Sequence, residues 1–326
     1  MKDPIFLICS ERSGSNLIRS IMGAHSGIYA PMPMHLLQYV FKYDIQYRQH
    51  SEAVYQNLIS EHIFEVINHQ VGTVDINFTK DELRKAMNYK DFFSAFRFVY
   101  EKLSKDKRLF YKENHNYQFI PALLNNFPNA KFVVQVRDPR DFVLSAMTRD
   151  ENTHDIISAA ETWKKDQSRA LEIINNLPDR AFVLHYEDLT ANPENTLNNL
   201  CDFLNINFDA SMLDFNKTKE VKESSKRSKS WENLSKGIIS DNQKKYKKAF
   251  SKKELKLIET YIGKILENFY YKPDYGPNQS FYYKFLTKFG DSPLKRYYPM
   301  ILPKHNKKAQ YKEEIERRKN LKELRQ

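Results

Sequence analysis

Ile5-Phe6-Leu7-Ile8-Cys9-Ser10-Glu11-Arg12-Ser13-Gly14-Ser15-Asn16-Leu17 sets an apolar run directly before a polar turn and the first residues of an amphipathic segment. A short continuous apolar run predicts a strand buried on both faces, the signature of a parallel sheet. The turn predicts an anion-holding loop that leads into a helix. A helix N-terminus offers unpaired N–H groups and the positive end of its dipole, and Gly14 lets the backbone approach a ligand without a Cβ in the way. Arg12, Ser13, Ser15 and Asn16 add donors, so the expected occupant is a phosphate or sulfate. The nucleoside-triphosphate pattern G-x-x-x-x-G-K-[ST] lacks its first glycine and its lysine here, which makes ordinary ATP chemistry a poorer fit.

Downstream, Leu17, Ile18, Ile21 and Met22 recur at helical spacing, and Gly23-Ala24-His25-Ser26-Gly27 ends that helix near residue 25. Residues 36–106 read mostly as helices with aromatics at Tyr39, Phe41, Tyr43, Tyr47, Phe92, Phe93, Phe96 and Phe98. We expect a helical insertion there that caps the open end of the sheet and supplies substrate-lining rings. The strand pattern resumes at Arg108–Lys112 and again at Lys131–Val136, with a helix through 121–124 between them. Strand, helix, strand implies a right-handed crossover and a sheet covered on both faces. Asp138 and Pro139 suit the cap and first turn of the next helix. A long amphipathic helix over 155–176, a short strand at Ala181–Leu184 and helices over 193–204 and 251–267 follow, with a mobile basic loop before the last that includes Ser224, Ser225, Ser228 and Ser230. The fold class expected is α/β: a three-layer, P-loop-like fold with a central parallel sheet, a helical insertion and a helical C-terminal extension. The domain organisation expected is one unit over 1–270 and a basic, aromatic-rich extension over 271–326.

Composition narrows the partners. The formal net charge is +11, but residues 217–253 hold 13 Lys/Arg against 4 Asp/Glu and residues 304–326 hold 9 against 4. Charge confined to one segment and a tail argues against a surface that coats nucleic acid generally. Two cysteines, Cys9 and Cys201, make a disulfide scaffold a poor fit and favour a reducing compartment. No stretch reaches the ~20 apolar residues of a membrane span, and no signal peptide precedes the first strand, so a cytoplasmic protein is expected. Phe281-Tyr282-Tyr283-Lys284-Phe285-Leu286 and Lys295-Arg296-Tyr297-Tyr298 mix aromatic and basic side chains as interfacial segments do, which suggests peripheral membrane contact through the extension.

In an open parallel sheet, ligands bind outside the carboxyl ends of the strands, where both the 10–16 turn and Arg137 fall. Glu11-Arg12-Ser13-Gly14-Ser15-Asn16-Leu17 resembles the 5′-phosphosulfate loop of sulfotransferases that use 3′-phosphoadenosine 5′-phosphosulfate (PAPS). Val136-Arg137-Asp138-Pro139-Arg140-Asp141-Phe142-Val143-Leu144-Ser145 resembles that family's 3′-phosphate motif. Lys112 with Phe127-Pro128-Asn129-Ala130-Lys131, His185-Tyr186-Glu187-Asp188-Leu189, and Ser230-Trp231-Glu232-Asn233-Leu234-Ser235-Lys236 are similar to further family segments, over most of residues 4–270. The resemblance implies transfer of the sulfuryl group of PAPS to an acceptor hydroxyl, with PAP as product and no metal. Arg12, Ser13, Gly14, Ser15 and Asn16 would hold the 5′ end, and Arg137 with Ser145 the 3′-phosphate. Trp231, Asn233, Ser235 and Lys236 would cover the nucleotide. A plain structural role for Arg137 would instead pair it with Asp141 or Glu187.

The general base has two candidates. Family members often carry a glutamate in a P-P-E-x-H pattern after the first helix, and Pro31-Met32-Pro33-Met34-His35 places Pro33 at that glutamate and His35 at the histidine. His115, twenty-two residues before Arg137, matches the spacing of the cytosolic enzymes' histidine, with its lysine offset by one. Glu113 stands behind both, and Lys112 is expected beside the sulfuryl oxygens. By analogy with bacterial and carbohydrate-type relatives, the acceptor is expected to be a carbohydrate or glycolipid. Two rivals compete: a P-loop kinase or NTPase, which needs Mg²⁺ and a loop lysine, and a basic nucleic-acid-binding protein, which needs aromatics interleaved with its charge.

Overall fold

The computed structural model describes residues 2–70, 76–148, 155–226 and 231–276. Five strands, β1 (Ile5–Cys9), β2 (Ile28–Tyr29), β3 (Arg108–Lys112), β4 (Lys131–Val136) and β5 (Ala181–His185), form a sheet in the order β2-β3-β1-β4-β5, with every neighbouring pair parallel. After β1 the chain moves to one side of the sheet, and after β4 it moves to the other. The carboxyl ends of β1 and β4 therefore flank the topological switch point where such sheets bind ligands.

Side-chain alternation explains the layers. Phe6, Ile8, Leu109, Tyr111, Phe132, Val134 and Val136 face one core, with the helices Glu52–Gln70, Phe92–Ser104, Ile156–Asn176 and Lys252–Ile262. Ile5, Leu7, Cys9, Phe110, Val133 and Leu184 face the other, under the helices Ser15–Ala24 and Pro193–Leu204. Strands buried on both sides need apolar residues at every position, which is why β1 reads as an unbroken run. Local signals fix the helix ends. Asp138 accepts from the Arg140 amide with Pro139 in the first turn, Asp155 and Ser251 form capping boxes, and Gly263 at φ 64° stops the last long helix.

Four expectations change. The aromatics of 36–106 fill the core rather than line a pocket: Phe96 packs at 5.3 Å from Tyr111 and 5.8 Å from Phe127, and Phe6 packs at 5.8 Å from Tyr111. The insertion lies against a sheet face, because rings of this size gain most by burial against other rings. The helical reading of 36–106 opens on a single turn, Leu36–Tyr39, and the helix expected over 251–267 breaks at Gly263. The two-residue strand β2 carries no sequence signal. The segment read as a mobile basic loop is ordered turns over its described part: buried Arg19 pairs with Glu220 at 3.0 Å, and buried Tyr246 sits in the turn Tyr246–Ala249. Ser228 and Ser230 lie outside the described residues, as do both aromatic-basic segments of the C-terminal extension.

Candidate active site

The loop after β1 is folded by its own side chains. Ser13 Oγ donates to the Ser10 carbonyl at 2.7 Å, and Gln167 Nε2 donates to Ser10 Oγ at 3.1 Å from the helix beneath. Ser13 is buried and faces inward, so it shapes the loop rather than lining the cavity. Arg12 at φ 64° and Gly14 at φ 87° turn the chain sharply before the helix Ser15–Ala24. A Cβ on Gly14 would stand 2.6 Å from Tyr186 Cε2 and closer still to Cδ2, so the loop packs against that ring.

The second motif meets the first. β4 is hydrogen-bonded to β1, and Arg137 follows directly from its end. Arg137 donates to the Arg12 carbonyl at 3.0 Å and lies over the Tyr186 ring at 4.7 Å. Arg12 Nε donates to Ser145 Oγ at 3.2 Å. Asp141 and Glu187 have other work: Asp141 accepts from the Lys244 and Tyr246 amides at 2.6 and 3.0 Å, and Glu187 accepts from the Asp138 amide and the Tyr271 hydroxyl at 2.9 and 2.7 Å. The structural pairing weighed for Arg137 is therefore absent, and its Nε has no partner among the described residues.

These groups line one cavity of about 840 Å³. Arg12, Gly14, Ser15, Asn16, Arg137, Ser145, Trp231 and Asn233 are all in its wall. Ser235 and Lys236 do not line it: Ser235 Oγ donates to the Glu232 carbonyl at 2.7 Å, and Lys236 Nζ to Asn233 Oδ1 at 3.1 Å. Sequence reasoning missed Asn242, Lys245 and the ring of Tyr186, which also line the cavity. Lys245 was hidden in a run of lysines. Its position follows from Asp141, which grips the amides on either side of it.

Met32, Pro33, His35, Lys112 and Asn114 line the same cavity, and Asn114 Nδ2 donates to Glu11 Oε1 at 2.9 Å. Burial pushes the Lys112 ammonium below its usual range, and its Nζ donates to Asn114 Oδ1 at 3.0 Å. Burial, helped by Lys112, pushes His35 down to about 4, and its Nδ1 has no partner among the described residues. Behind it, burial raises Glu113 to about 8. Tyr111 donates to one of its oxygens, and the other has no partner among the described residues. His115 lies elsewhere, in a second cavity of about 210 Å³ that shares Glu11 and Arg12 with the first. A hydrogen bond with Asp166 pulls its imidazole above the usual value against the effect of burial. The two candidate bases thus face different spaces, with the Glu11–Arg12 segment between them. Among the described residues no three His, Cys, Asp or Glu side chains gather as metal ligands, and no helix is long and apolar enough to cross a membrane.

Comparison with known proteins agrees with the fold. A relative from Caenorhabditis briggsae, provisionally named a protein-tyrosine sulfotransferase, is 24% identical over 218 residues, covering 64% of this chain and 68% of its own. A Caenorhabditis elegans protein of the same provisional name is 30% identical over 111 residues, 32% of this chain and 43% of its own. The sulfotransferase domain of the Synechococcus PCC 7002 olefin synthase shares the fold with a TM-score of 0.58 at 21% identity, over 83% of this chain and 97% of that domain. The sulfotransferase domain from the curacin biosynthetic pathway does so at 0.52 and 19%, over 83% of this chain and 99% of that domain. The family model of the Sulfotransferase family matches residues 4–210, which hold the anion loop, the Arg137–Ser145 clamp and all five strands, and the chain belongs to that family.

Proposed function

We propose that the protein transfers the sulfuryl group of PAPS to an acceptor hydroxyl, with a carbohydrate or glycolipid as the acceptor. The observation that carries this reading is the junction of two anion clamps in one cavity, made by the bonds from Arg137 to the Arg12 carbonyl and from Arg12 to Ser145. A donor with phosphates at both its 3′ and 5′ positions needs two such clamps. The residues fit it: Arg137 Nε is a buried donor without a partner among the described residues, and a bound nucleotide would give it an acceptor.

Sulfuryl transfer resembles phosphoryl transfer, with a loose, in-line transition state, so positioning and charge stabilisation carry most of the catalysis. Gly14, Ser15 and Asn16 hold the 5′ end at the helix N-terminus. Arg137, Ser145 and Lys245 hold the 3′-phosphate, and Trp231 covers the base. As the S–O bond to the acceptor forms and the S–O bond to the leaving phosphate breaks, Arg12 offsets the charge that develops on that phosphate. Lys112 lies beside the sulfuryl oxygens. His35 takes the acceptor proton: it lines the same cavity as Arg12 and Lys112, and its depressed pKa keeps it unprotonated at neutral pH.

The unpaired, buried Cys9 and Cys201 support a reducing, cytoplasmic setting. We assign residues 1–270 to the transferase unit and 271–326 to an extension that contacts a membrane surface peripherally. Heat stabilisation by adenosine 3′,5′-bisphosphate, followed by transfer of labelled sulfate from PAPS to glycans, lipids, phenols and tyrosine peptides, tests the reading. Absence of stabilisation overturns it, and exclusive transfer to tyrosine peptides replaces the acceptor with the one in the nematode relatives' name.

A further inference from the structure

The geometry points to the smaller cavity as a subsite for the part of the acceptor next to the hydroxyl that is sulfated, a neutral, hydroxyl-rich group of about one pyranose ring anchored by Asp166 and Thr162. This rests on the sulfuryl-transfer reading and specifies the acceptor side of that site. The cavity shares Glu11 and Arg12 with the large one, so a group seated in it adjoins the loop assigned to the sulfuryl end of the donor. Its volume of about 210 Å³ is roughly that of seven water molecules.

The walls call for hydrogen-bond donors. The Asp166 side chain is only 4% exposed, and its Oδ1 accepts from the Tyr117 hydroxyl at 3.0 Å. Its Oδ2 is buried with no partner among the described residues. A buried carboxylate oxygen without a donor costs free energy, which a ligand hydroxyl would recover. Thr162 gives its own proton to the Ser158 carbonyl at 2.9 Å, which leaves only lone pairs for a ligand. Phe142, Ala146 and Ala159 add apolar wall that suits the C–H face of a sugar ring. An ammonium group would also donate, but its attraction to Glu11 and Asp166 is opposed by the Arg12 guanidinium and by His115, whose partner Asp166 favours the protonated ring. A neutral polyol satisfies the same acceptors without that repulsion.

The test is sulfate transfer from PAPS by the full chain to the methyl glycosides of lactose, maltose and chitobiose, with p-nitrophenol and ethanolamine as competitors. We expect at least one glycoside to be sulfated. Asp166→Asn should raise its KM tenfold or more while stabilisation by adenosine 3′,5′-bisphosphate stays at the wild-type level. Ala146→Leu, which fills the cavity and leaves the carboxylate intact, should do the same and carries the test if Asp166→Asn does not fold. Sulfation of p-nitrophenol alone, preference for ethanolamine, or an unchanged glycoside KM in the folded variants overturns the subsite and leaves the transferase reading standing. Failure of the bisphosphate to stabilise the wild-type protein overturns both.

Discussion

Replacing Gly14 by alanine should damage both the fold and the donor site, and the size of the effect follows from two features of the loop. Gly14 sits at φ 87°, where a residue with a Cβ costs about 1–2 kcal/mol. The added methyl would also stand 2.6 Å from Tyr186 Cε2. That ring cannot easily yield: it is 5% exposed, its hydroxyl accepts from Asn242 at 2.7 Å, and Arg137 lies over its face. Overpacking of this kind costs about 1–3 kcal/mol. A total near 3 kcal/mol, at about 1.5 °C per kcal/mol for a chain of 326 residues, gives a drop in Tm of about 4–5 °C. Displacing Tyr186 also displaces Arg137, and loss of one charged hydrogen bond, about 1.5–3 kcal/mol, should weaken bisphosphate binding tenfold or more. Scanning calorimetry and titration calorimetry of Gly14→Ala beside wild type measure the two effects. A Tm within 1 °C of wild type together with unchanged affinity would refute the reading of this loop as a strained turn packed on the 3′-phosphate clamp.

Three further outcomes follow from the site. If His35 is the base, its pKa of about 4 keeps it in the proton-accepting form as pH falls from 7 to 5, so kcat/KM should stay level over that range and His35→Ala should abolish turnover. An acid limb above the ordinary imidazole value of about 6.5 that vanishes in His115→Ala would move the base to His115. Glu113, with a folded-state pKa of about 8 against an ordinary 4.5, holds a proton in the folded state that the unfolded chain has lost between those values. Folding is therefore weakened as pH rises through that window: Tm should fall from pH 6.5 to 9 in wild type and fall less in Glu113→Gln, and equal slopes would count against the buried carboxyl. Asp141→Asn weakens the hold on the Lys244 and Tyr246 amides, about 1–3 kcal/mol, and releases Lys245 from the cavity wall. It should lower Tm and raise the KM for PAPS, and an unchanged KM would remove Lys245 from the donor site.

All the strands but β2, and the loop, were legible because their causes are local. The run from Ile5 to Cys9 is apolar at every position because both faces are buried, and Asp138 and Pro139 cap and start the next helix within three residues of the strand end. The role of the aromatic insertion was not legible. Phe92, Phe93 and Phe96 satisfy equally the pattern of a pocket lining and of a core, and only their packing against Phe127 and Tyr111 decides for the core. Nor could spacing separate the two histidines. Each sits at φ near 60° at the start of a helical turn, His35 at 55° and His115 at 60°, and their local settings look alike.

By itself the sequence determined the apolar strands, the sharp turn at Arg12–Asn16 and the Arg137–Ser145 segment that follows β4, since each rests on residues close together in the chain. Only the tertiary structure decided that His35 and Lys112 share the large cavity while His115 and Asp166 face a smaller one, and that Asn242, Lys245 and Tyr186 join the donor wall. The physical reason is that these positions are set by contacts between distant segments. Asp141 grips the backbone around Lys245 across more than a hundred residues, and the Arg12 guanidinium bonds Ser145 across 133.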